Sequence, residues 1–351
     1  MVAVRSMASC LTRVPLALLV LVVSITSAGA QLRLPPRLER YFTETVKLSA
    51  EERAKLANGA AITKLLDVDR SEEIAVFGAV WISAPIRRYV EALKDIENFE
   101  RGGAFIVTRR ISDQPKIEDF AELHLPAEDV EDLRSCRVDA CEVKLGEQAL
   151  ELLRARVDWN AGNARAAADA TMRELALRYV TGYLEGGNER LAVYRDQARP
   201  TFVAREFRDM VDRMPELTTY MPGMRQYLLE FPKATLAGTS SFLYWQQTTF
   251  GLKPTTRISH VVIREGPDET TVASKMLYAT HYFWTGLELR ALVPDGARGP
   301  GFWFVTVNRS RSDGLTGFTG TVIRRKVERE TEDGTLAALQ ATKTSLEAAR
   351  R

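Results

Sequence analysis

RISHVVIREG (257–266), PDETTVASKMLYATHYFWTGLELRALVPDGARGPG (267–301) and FWFVTVNRSR (302–311) are consecutive pieces of the stretch that decides the fold. Three segments in it are rich in Val, Ile, Thr, Tyr, Phe and Trp, and turn-forming residues separate them. This composition, broken by Gly, Pro and Asp, predicts an antiparallel meander of long strands.

The middle of the stretch changes its pattern along its length. From Leu287 to Val293 apolar and polar residues alternate, whereas from Met276 to Trp284 both faces carry bulky or apolar side chains. A strand that is apolar on both faces is covered on both. We favour an ordinary two-sided core, and the alternative is a strand that bends at a bulge near Gly286 and encloses a cavity.

The chain after the meander predicts a C-terminal helix that begins near Gly317 or Gly320. Arg324 and Lys326 each stand four residues before a glutamate. Ion pairs within the helix are therefore expected to neutralise much of the positive charge of its basic residues. Gly334 is expected to break or weaken the helix midway, because glycine is a poor helix former.

The first 30 residues are typical of a secretory signal peptide. Arg5 and Arg13 precede the apolar run VPLALLVLVVSITSAGA, and the small residues at its end predict cleavage after Ala30. The run is short for a membrane span, so we expect an exported protein, periplasmic or extracellular, with no integral span after cleavage, and an uncleaved membrane anchor is the alternative. Loss of the two arginines would reduce the 48 basic residues to 46, equal to the 46 acidic ones. This neutral balance disfavours a nucleic-acid partner.

Two cysteines, Cys136 and Cys141, remain after removal of the signal peptide. An even number of cysteines in an exported protein favours a structural disulfide between them. Free thiols are the second interpretation. A redox role is disfavoured, because the two-residue spacing of redox pairs is absent.

The remaining chain alternates between helical and strand-like patterns. Two strands are predicted within 61–83 and others at 104–111 and 117–125, and Ser49 with Glu52 forms a capping box that starts a helix. We therefore divide the chain into residues 1–30, signal peptide; 31–60, N-terminal helical arm; 61–145, a first β/α part; 146–235, a helical insertion; and 236–351, the meander and C-terminal helix.

The segment after the second predicted strand resembles a known superfamily. Ser83, Ala84 and Pro85 are followed at once by the helical pattern IRRYVEALKDIENF, which leaves through Asp95 and Phe99. This arrangement resembles the opening of START-like, helix-grip domains, over residues 72–99 and more loosely over 257–350. The resemblance implies an α+β fold in which a curved antiparallel sheet wraps around a long C-terminal helix. The sheet and the helix enclose an apolar cavity between them. The large helical insertion departs from that compact pattern.

Such a cavity gives candidate ligand-binding residues. His281 can hydrogen-bond a ligand's polar head, although a buried histidine more often bonds a neighbouring tyrosine or carbonyl. The residues expected to line the cavity are Phe242, Tyr278, His281, Tyr282, Trp284 and Trp303.

Motifs for chemistry are missing from the sequence. No catalytic constellation, phosphate-binding loop, nucleophile elbow or histidine-rich metal site is recognisable, so we expect no cofactor and do not favour an enzyme. The first hypothesis is an exported protein that binds a hydrophobic small molecule or lipid. The alternative is a cell-envelope structural or assembly factor that acts through its helical insertion.

Overall fold

The computed structural model describes residues 34–348, without the side chains of residues 317–319, and the predicted signal peptide lies outside that range. The strands are β1 Ile62–Leu65, β2 Glu73–Ile82, β3 Phe105–Ile111, β4 Val193–Tyr194, β5 Thr201–Phe202, β6 Thr239–Phe250, β7 Lys253–Glu265, β8 Thr270–Ala279, β9 Phe283–Pro294 and β10 Phe302–Ser312. The helices are α1 Pro36–Arg40, α2 Ala50–Ala57, α3 Ile86–Lys94, α4 Ile96–Phe99, α5 Ala127–Ser135, α6 Glu147–Arg156, α7 Ala164–Gly186, α8 Val203–Asp212, α9 Pro222–Glu230 and α10 Gly317–Ala348. Short helical turns of other types cover Tyr41–Thr45, Ile117–Phe120, Gly187–Arg190 and Glu216–Tyr220.

Eight strands form one curved antiparallel sheet in the order β1-β2-β10-β9-β8-β7-β6-β3. The strands β6 to β10 follow one another as hairpins, and β10 then pairs with β2 from the beginning of the chain. The predicted α+β class, with a curved antiparallel sheet, a C-terminal helix and a large helical insertion, is confirmed.

One face of the sheet, which we call the α10 face, lies against α10. Gly78 of β2 and its partner Thr306 of β10 are on this face. A Cβ atom at Gly78 would come within 2.8 Å of Leu339 Cδ1 and within 3.0 Å of Thr335 Cγ2 of α10. The glycine therefore allows the helix to approach the sheet closely.

The other face, which we call the opposite face, is covered by several separate elements. The N-terminal arm packs over β2 and β10, and α8 and α9 pack over β8 and β9. Helices α5, α6 and α7 pack over β6 and β7. Because both faces are covered, all ten residues of β2 are buried, and the bulky residues on both faces of the meander belong to a two-sided core.

The disulfide predicted between Cys136 and Cys141 is present, with Cα atoms 4.5 Å apart. The Ser49 capping box is also confirmed, because Glu52 N–H donates to Ser49 Oγ and Ser49 N–H donates to the Glu52 carboxylate.

The strand predicted at 117–125 is wrong. Ile117–Phe120 forms a short 3-10 turn instead. The carboxylate of Asp119 accepts hydrogen bonds from the backbone N–H groups of Ser112 and Lys116, at 3.2 and 3.0 Å. These local bonds curl the chain where apolar composition alone had indicated an extended strand.

The middle piece of the meander forms two strands, β8 and β9, where one long strand was predicted. The chain turns at Tyr282, which has a positive φ of 60°, and the Tyr282 hydroxyl accepts hydrogen bonds from the N–H groups of Leu252 and Lys253. Arg311 of β10 pairs with Thr285, and the next residue, Ser312, pairs with Phe283, so Trp284 between them is the extra residue of β9. The bulge therefore lies at Trp284 and not at Gly286.

The break predicted at Gly334 is wrong as well, since α10 runs continuously through 32 residues. A Cβ atom at Gly334 would meet nothing within 4 Å. The predicted pairing of Arg324 with Glu328 (2.7 Å) and of Lys326 with Glu330 (3.7 Å) is confirmed.

We predict opposite effects from substituting two glycines near α10. Gly78→Val should lower the free energy of unfolding by about 1–3 kcal/mol, because the added methyl groups meet α10. Gly334→Ala should raise it by about 0.5–1 kcal/mol through helix propensity alone. Urea unfolding of both variants measures these changes. Wild-type stability in Gly78→Val would contradict the close packing of α10 on β2.

Candidate functional site

The α10 face is filled by the protein's own side chains. Aromatic and aliphatic residues of the strands pack there against α3, α4 and α10, and they are almost fully buried. The strands contribute Val80, Ile82, Phe242, Tyr244, Val261, Val272, Leu292 and Phe304 to this layer. The helices contribute Tyr89 and Leu93 of α3 and Leu339 and Leu346 of α10.

A cluster of charged and polar side chains lies within this layer. Arg290 Nε donates to Glu288 Oε1 at 2.8 Å, and Thr306 Oγ1 donates to the same oxygen at 3.1 Å. Gln246, with its amide nitrogen toward Glu100 and its oxygen toward Arg257, bridges two further charges at 2.6 Å each. Burial raises the pKa of the Glu100 carboxyl. Polar groups that satisfy one another in this way favour a structural role.

The cavity that we consider as a candidate site lies on the opposite face of the sheet. Its volume is about 230 Å³, and apolar surface dominates its walls. Strands β9 and β10 form its floor, and α1, the turn after it, the 216–221 segment and the β7–β8 hairpin surround it. The lining residues are Arg37, Leu38, Tyr41, Glu216, Tyr220, Met221, Asp268, Glu269, Leu289, Ala291, Val293, Val305 and Val307.

Local sequence explains how these elements reach the cavity. Strand alternation puts Val305 and Val307 on the opposite face, because Thr306 between them lies on the α10 face. Pro36 occupies the first turn of α1, where proline suits a helix. Leu38 and Tyr41 then follow at a spacing of three residues, so both point toward the sheet.

A buried carboxylate gives the cavity a polar end. Glu216 is only 3% exposed, and its Oε1 accepts a hydrogen bond from the Tyr41 hydroxyl at 2.7 Å. Burial, together with the charge of Glu216, raises the pKa of Tyr41 well above its usual value. Among residues 34–348 no donor bonds the other oxygen, Oε2. This oxygen is itself fully buried, so the part of Glu216 that lines the cavity does not include an accessible Oε2.

Arg37 lies at the rim and ties three elements together. Its Nη1 is 2.9 Å from Glu269 Oε2, and its Nη2 donates to the Tyr220 carbonyl at 2.6 Å. About half of the Arg37 side chain is exposed. The residue therefore links α1 to the β7–β8 hairpin at the boundary between the cavity and solvent.

The six residues predicted to bind ligand lie in separate surroundings. Phe242 is on the α10 face, whereas Tyr278 packs under the insertion and donates from its hydroxyl to the Lys144 carbonyl. Tyr282 holds the β6–β7 turn, and Trp284 Nε1 donates to Asp313. Their role as ligand-binding residues stays a prediction, and the fold does not bring them into one pocket.

The other two predicted residues have clear partners of their own. His281 Nε2 lies 2.9 Å from Asp129 Oδ1, and Nδ1 lies 3.1 Å from the Glu142 carbonyl, so protein groups satisfy both ring nitrogens. Trp303 Nε1 donates to Asp295 at 3.1 Å. Trp303 belongs to the apolar cluster that also contains Tyr41, Val305 and Val307, and it is thus the predicted residue nearest to the cavity wall.

Sequence reasoning missed the polar residues of the cavity. Glu216 stands between Met214 and Leu217, and an acid among apolar residues was the one signal available. Tyr41 lies in the predicted N-terminal helical arm, and nothing in the sequence places it opposite Glu216, which is 175 residues away.

A second buried polar group lies between the sheet and the insertion. Lys275 is fully buried, its Nζ is 4.3 Å from the ring centre of Phe207, and it donates to Asn188. Burial lowers the pKa of Lys275 well below its usual value. Burial, with a smaller contribution from Lys275, also lowers the pKa of neighbouring His260 to about 3, and the Tyr183 hydroxyl lies 2.9 Å from its Nδ1.

We predict that Lys275 makes stability depend on pH in the alkaline range. Because the folded pKa of Lys275 is depressed, the unfolded chain binds the extra proton between the folded and the unfolded pKa, and the contribution of Lys275 to stability rises with pH over that window, up to about pH 10. Lys275→Met should therefore be more stable than wild type at pH 7, with a gain that shrinks toward pH 10 by up to about 1.4 kcal/mol per pH unit. Urea unfolding at several pH values measures it, with the exposed Lys233→Met as control. A difference that does not vary with pH would mean that Lys275 is charged in the folded protein.

Two further findings concern possible metal sites and membrane spans among the described residues. Residues 34–348 hold no group of three or more His, Cys, Asp or Glu side chains arranged to bind a metal ion. Within the same range, no helix combines the length and the apolar composition that crossing a membrane requires.

Comparison of the chain with family models, curated proteins and solved structures finds no match.

Proposed function

We propose that this chain binds a hydrophobic small molecule, and that the ligand occupies the cavity between α1, the 216–221 segment and strands β9 and β10. The observation that carries the proposal is a cavity with mainly apolar walls whose lining includes a few polar residues, among them Arg37 and Glu216. Apolar walls with a few placed polar groups are typical of small-molecule sites.

The size of the cavity favours a small ligand over a whole lipid. Its volume of about 230 Å³ is below the roughly 300–1,000 Å³ of typical ligand pockets. A single alkyl chain or a small ring system would therefore fit, and a longer ligand would extend past Arg37 into solvent.

We also propose that the protein is exported and is a distant member of the START-like superfamily. The amino-terminal pattern and the disulfide support export. Superfamily membership is supported by helices α3 and α4 directly after β2, by a meander that returns to pair with β2, and by a long final helix against the sheet. The proposed ligand site then lies on the sheet face away from that helix.

The alternative function, an envelope assembly factor that acts through residues 146–235, stays a prediction. The apolar side chains of this insertion pack mainly against the chain's own sheet. This arrangement favours the ligand-binding proposal, because an insertion occupied by its own sheet has less apolar surface for a partner.

Filling the cavity tests the proposed function. The full chain should bind the neutral apolar dye phenylnaphthylamine, with a rise in fluorescence. Ala291→Phe puts an aromatic ring into the cavity and should weaken this binding about tenfold or more while the chain remains folded. Leu252→Phe, at a position 91% exposed, serves as the matched control and should bind as wild type does. Equal dye binding by Ala291→Phe and wild type would exclude this cavity as the site.

A further inference from the structure

We infer that the side chain of Arg37 is a gate that controls how fast the ligand enters and leaves the cavity. This inference rests on the proposed function and adds the regulation of the same site. The observation behind it is a half-exposed guanidinium that is bonded to two separate walls of the cavity.

The guanidinium of Arg37 joins two lining elements that come from different parts of the chain. Its Nη1 lies 2.9 Å from Glu269 Oε2 in the β7–β8 hairpin, and its Nη2 donates to the Tyr220 carbonyl of the 216–221 segment at 2.6 Å. The Arg37 side chain lines the cavity and is also half exposed, so it lies between the cavity and solvent. A ligand that passes between these two walls has to displace it.

The partners of Arg37 are held in place, whereas Arg37 itself can move. The Glu269 side chain is only 13% exposed, and the Tyr220 ring packs edge-on against Tyr41 with 5.0 Å between ring centres. The neighbouring Leu38 is buried and anchors α1. Exposed side chains change rotamer within picoseconds to nanoseconds. Arg37 can therefore swing outward while α1 and both walls stay where they are.

The two bonds of Arg37 hold the gate closed for most of the time and still let it open. Both bonds are charge-assisted, which strengthens them. Solvent reaches the guanidinium and weakens its pair with Glu269, and added salt screens that pair further. Opening should therefore become more frequent as the ionic strength rises.

Stopped-flow fluorescence with the neutral dye phenylnaphthylamine measures the gate in the full chain. Arg37→Ala should raise the association and dissociation rate constants together, each about threefold or more, and should leave the dissociation constant within about twofold. A residue that only contacted the ligand or braced the rim would act mainly on the dissociation rate constant. Arg40→Ala removes an exposed arginine from the same helix, outside the cavity, and should exchange the dye as wild type does.

Two further measurements test the ion pair while Arg37 is present. Glu269→Gln should also speed dye exchange. The double variant Arg37→Ala/Glu269→Gln should be no faster than Arg37→Ala, because both substitutions remove the same interaction. Raising NaCl from about 50 mM to about 500 mM should speed exchange in wild type and not in Arg37→Ala.

The outcomes separate the gate from the proposed function. If the dye does not bind, or binds Ala291→Phe equally well, the proposed function itself fails. If the dye binds in the cavity but Arg37→Ala exchanges it at the wild-type rates, or raises the dissociation rate constant alone, the gate is overturned and the hydrophobic site stands. Where Arg37→Ala does not fold, Glu269→Gln and the salt series on wild type decide, and unchanged rates in both overturn the gate.

Discussion

A sheet that is apolar on both faces has to be covered on both faces, and this constraint organises the molecule. Strand β2 is the clearest case, because all of its residues are buried. If either face stayed in water, the fold would lose about 25 cal/mol of stabilising free energy for each Å² of apolar surface left exposed. The chain therefore supplies two layers: α3, α4 and α10 on one side, and the N-terminal arm with the helical insertion on the other. The insertion is thus part of the core of the protein.

The two layers differ in how they are built, and the cavity follows from that difference. On the α10 face, one continuous helix with α3 and α4 packs over the strands, and glycine at position 78 lets it approach closely. The opposite face is covered by pieces from distant parts of the chain. Where α1 meets the 216–221 segment over β9 and β10, the pieces do not fill the space between them. Tyr41 and Glu216 bond across this junction, and Arg37 bridges it at the rim.

Much of the fold was predictable from the sequence, because it depends on local and periodic signals. The meander, the capping box at Ser49, the C-terminal helix and the Cys136–Cys141 disulfide all follow from spacing or composition. The exceptions are positions where tertiary contacts overrode the local signal. Tyr282 turns the chain without glycine or proline, held by backbone donors of another hairpin, and α10 tolerates Gly334 because its helix is anchored through Leu339 and Leu346.

The candidate site was much less predictable than the fold. The aromatic residues chosen from the meander divide between the two faces and the turns, since their role depends on which helix covers each face. The pairing of Tyr41 with Glu216 joins two segments that carry no mutual signal in the sequence. The cavity implied by the resemblance to helix-grip domains would lie on the α10 face, where Arg290 and Glu288 pair within a packed layer. The cavity described here lies on the other side of the same strands.

Intermolecular nuclear Overhauser effects between phenylnaphthylamine and methyl-labelled protein test the central claim most directly, because strand alternation separates the methyl groups of the two faces. Binding in the cavity predicts contacts from the dye to Leu289, Val305 and Val307. Contacts to Val80, Val272 and Leu292 on the α10 face, with none to the first set, would contradict it.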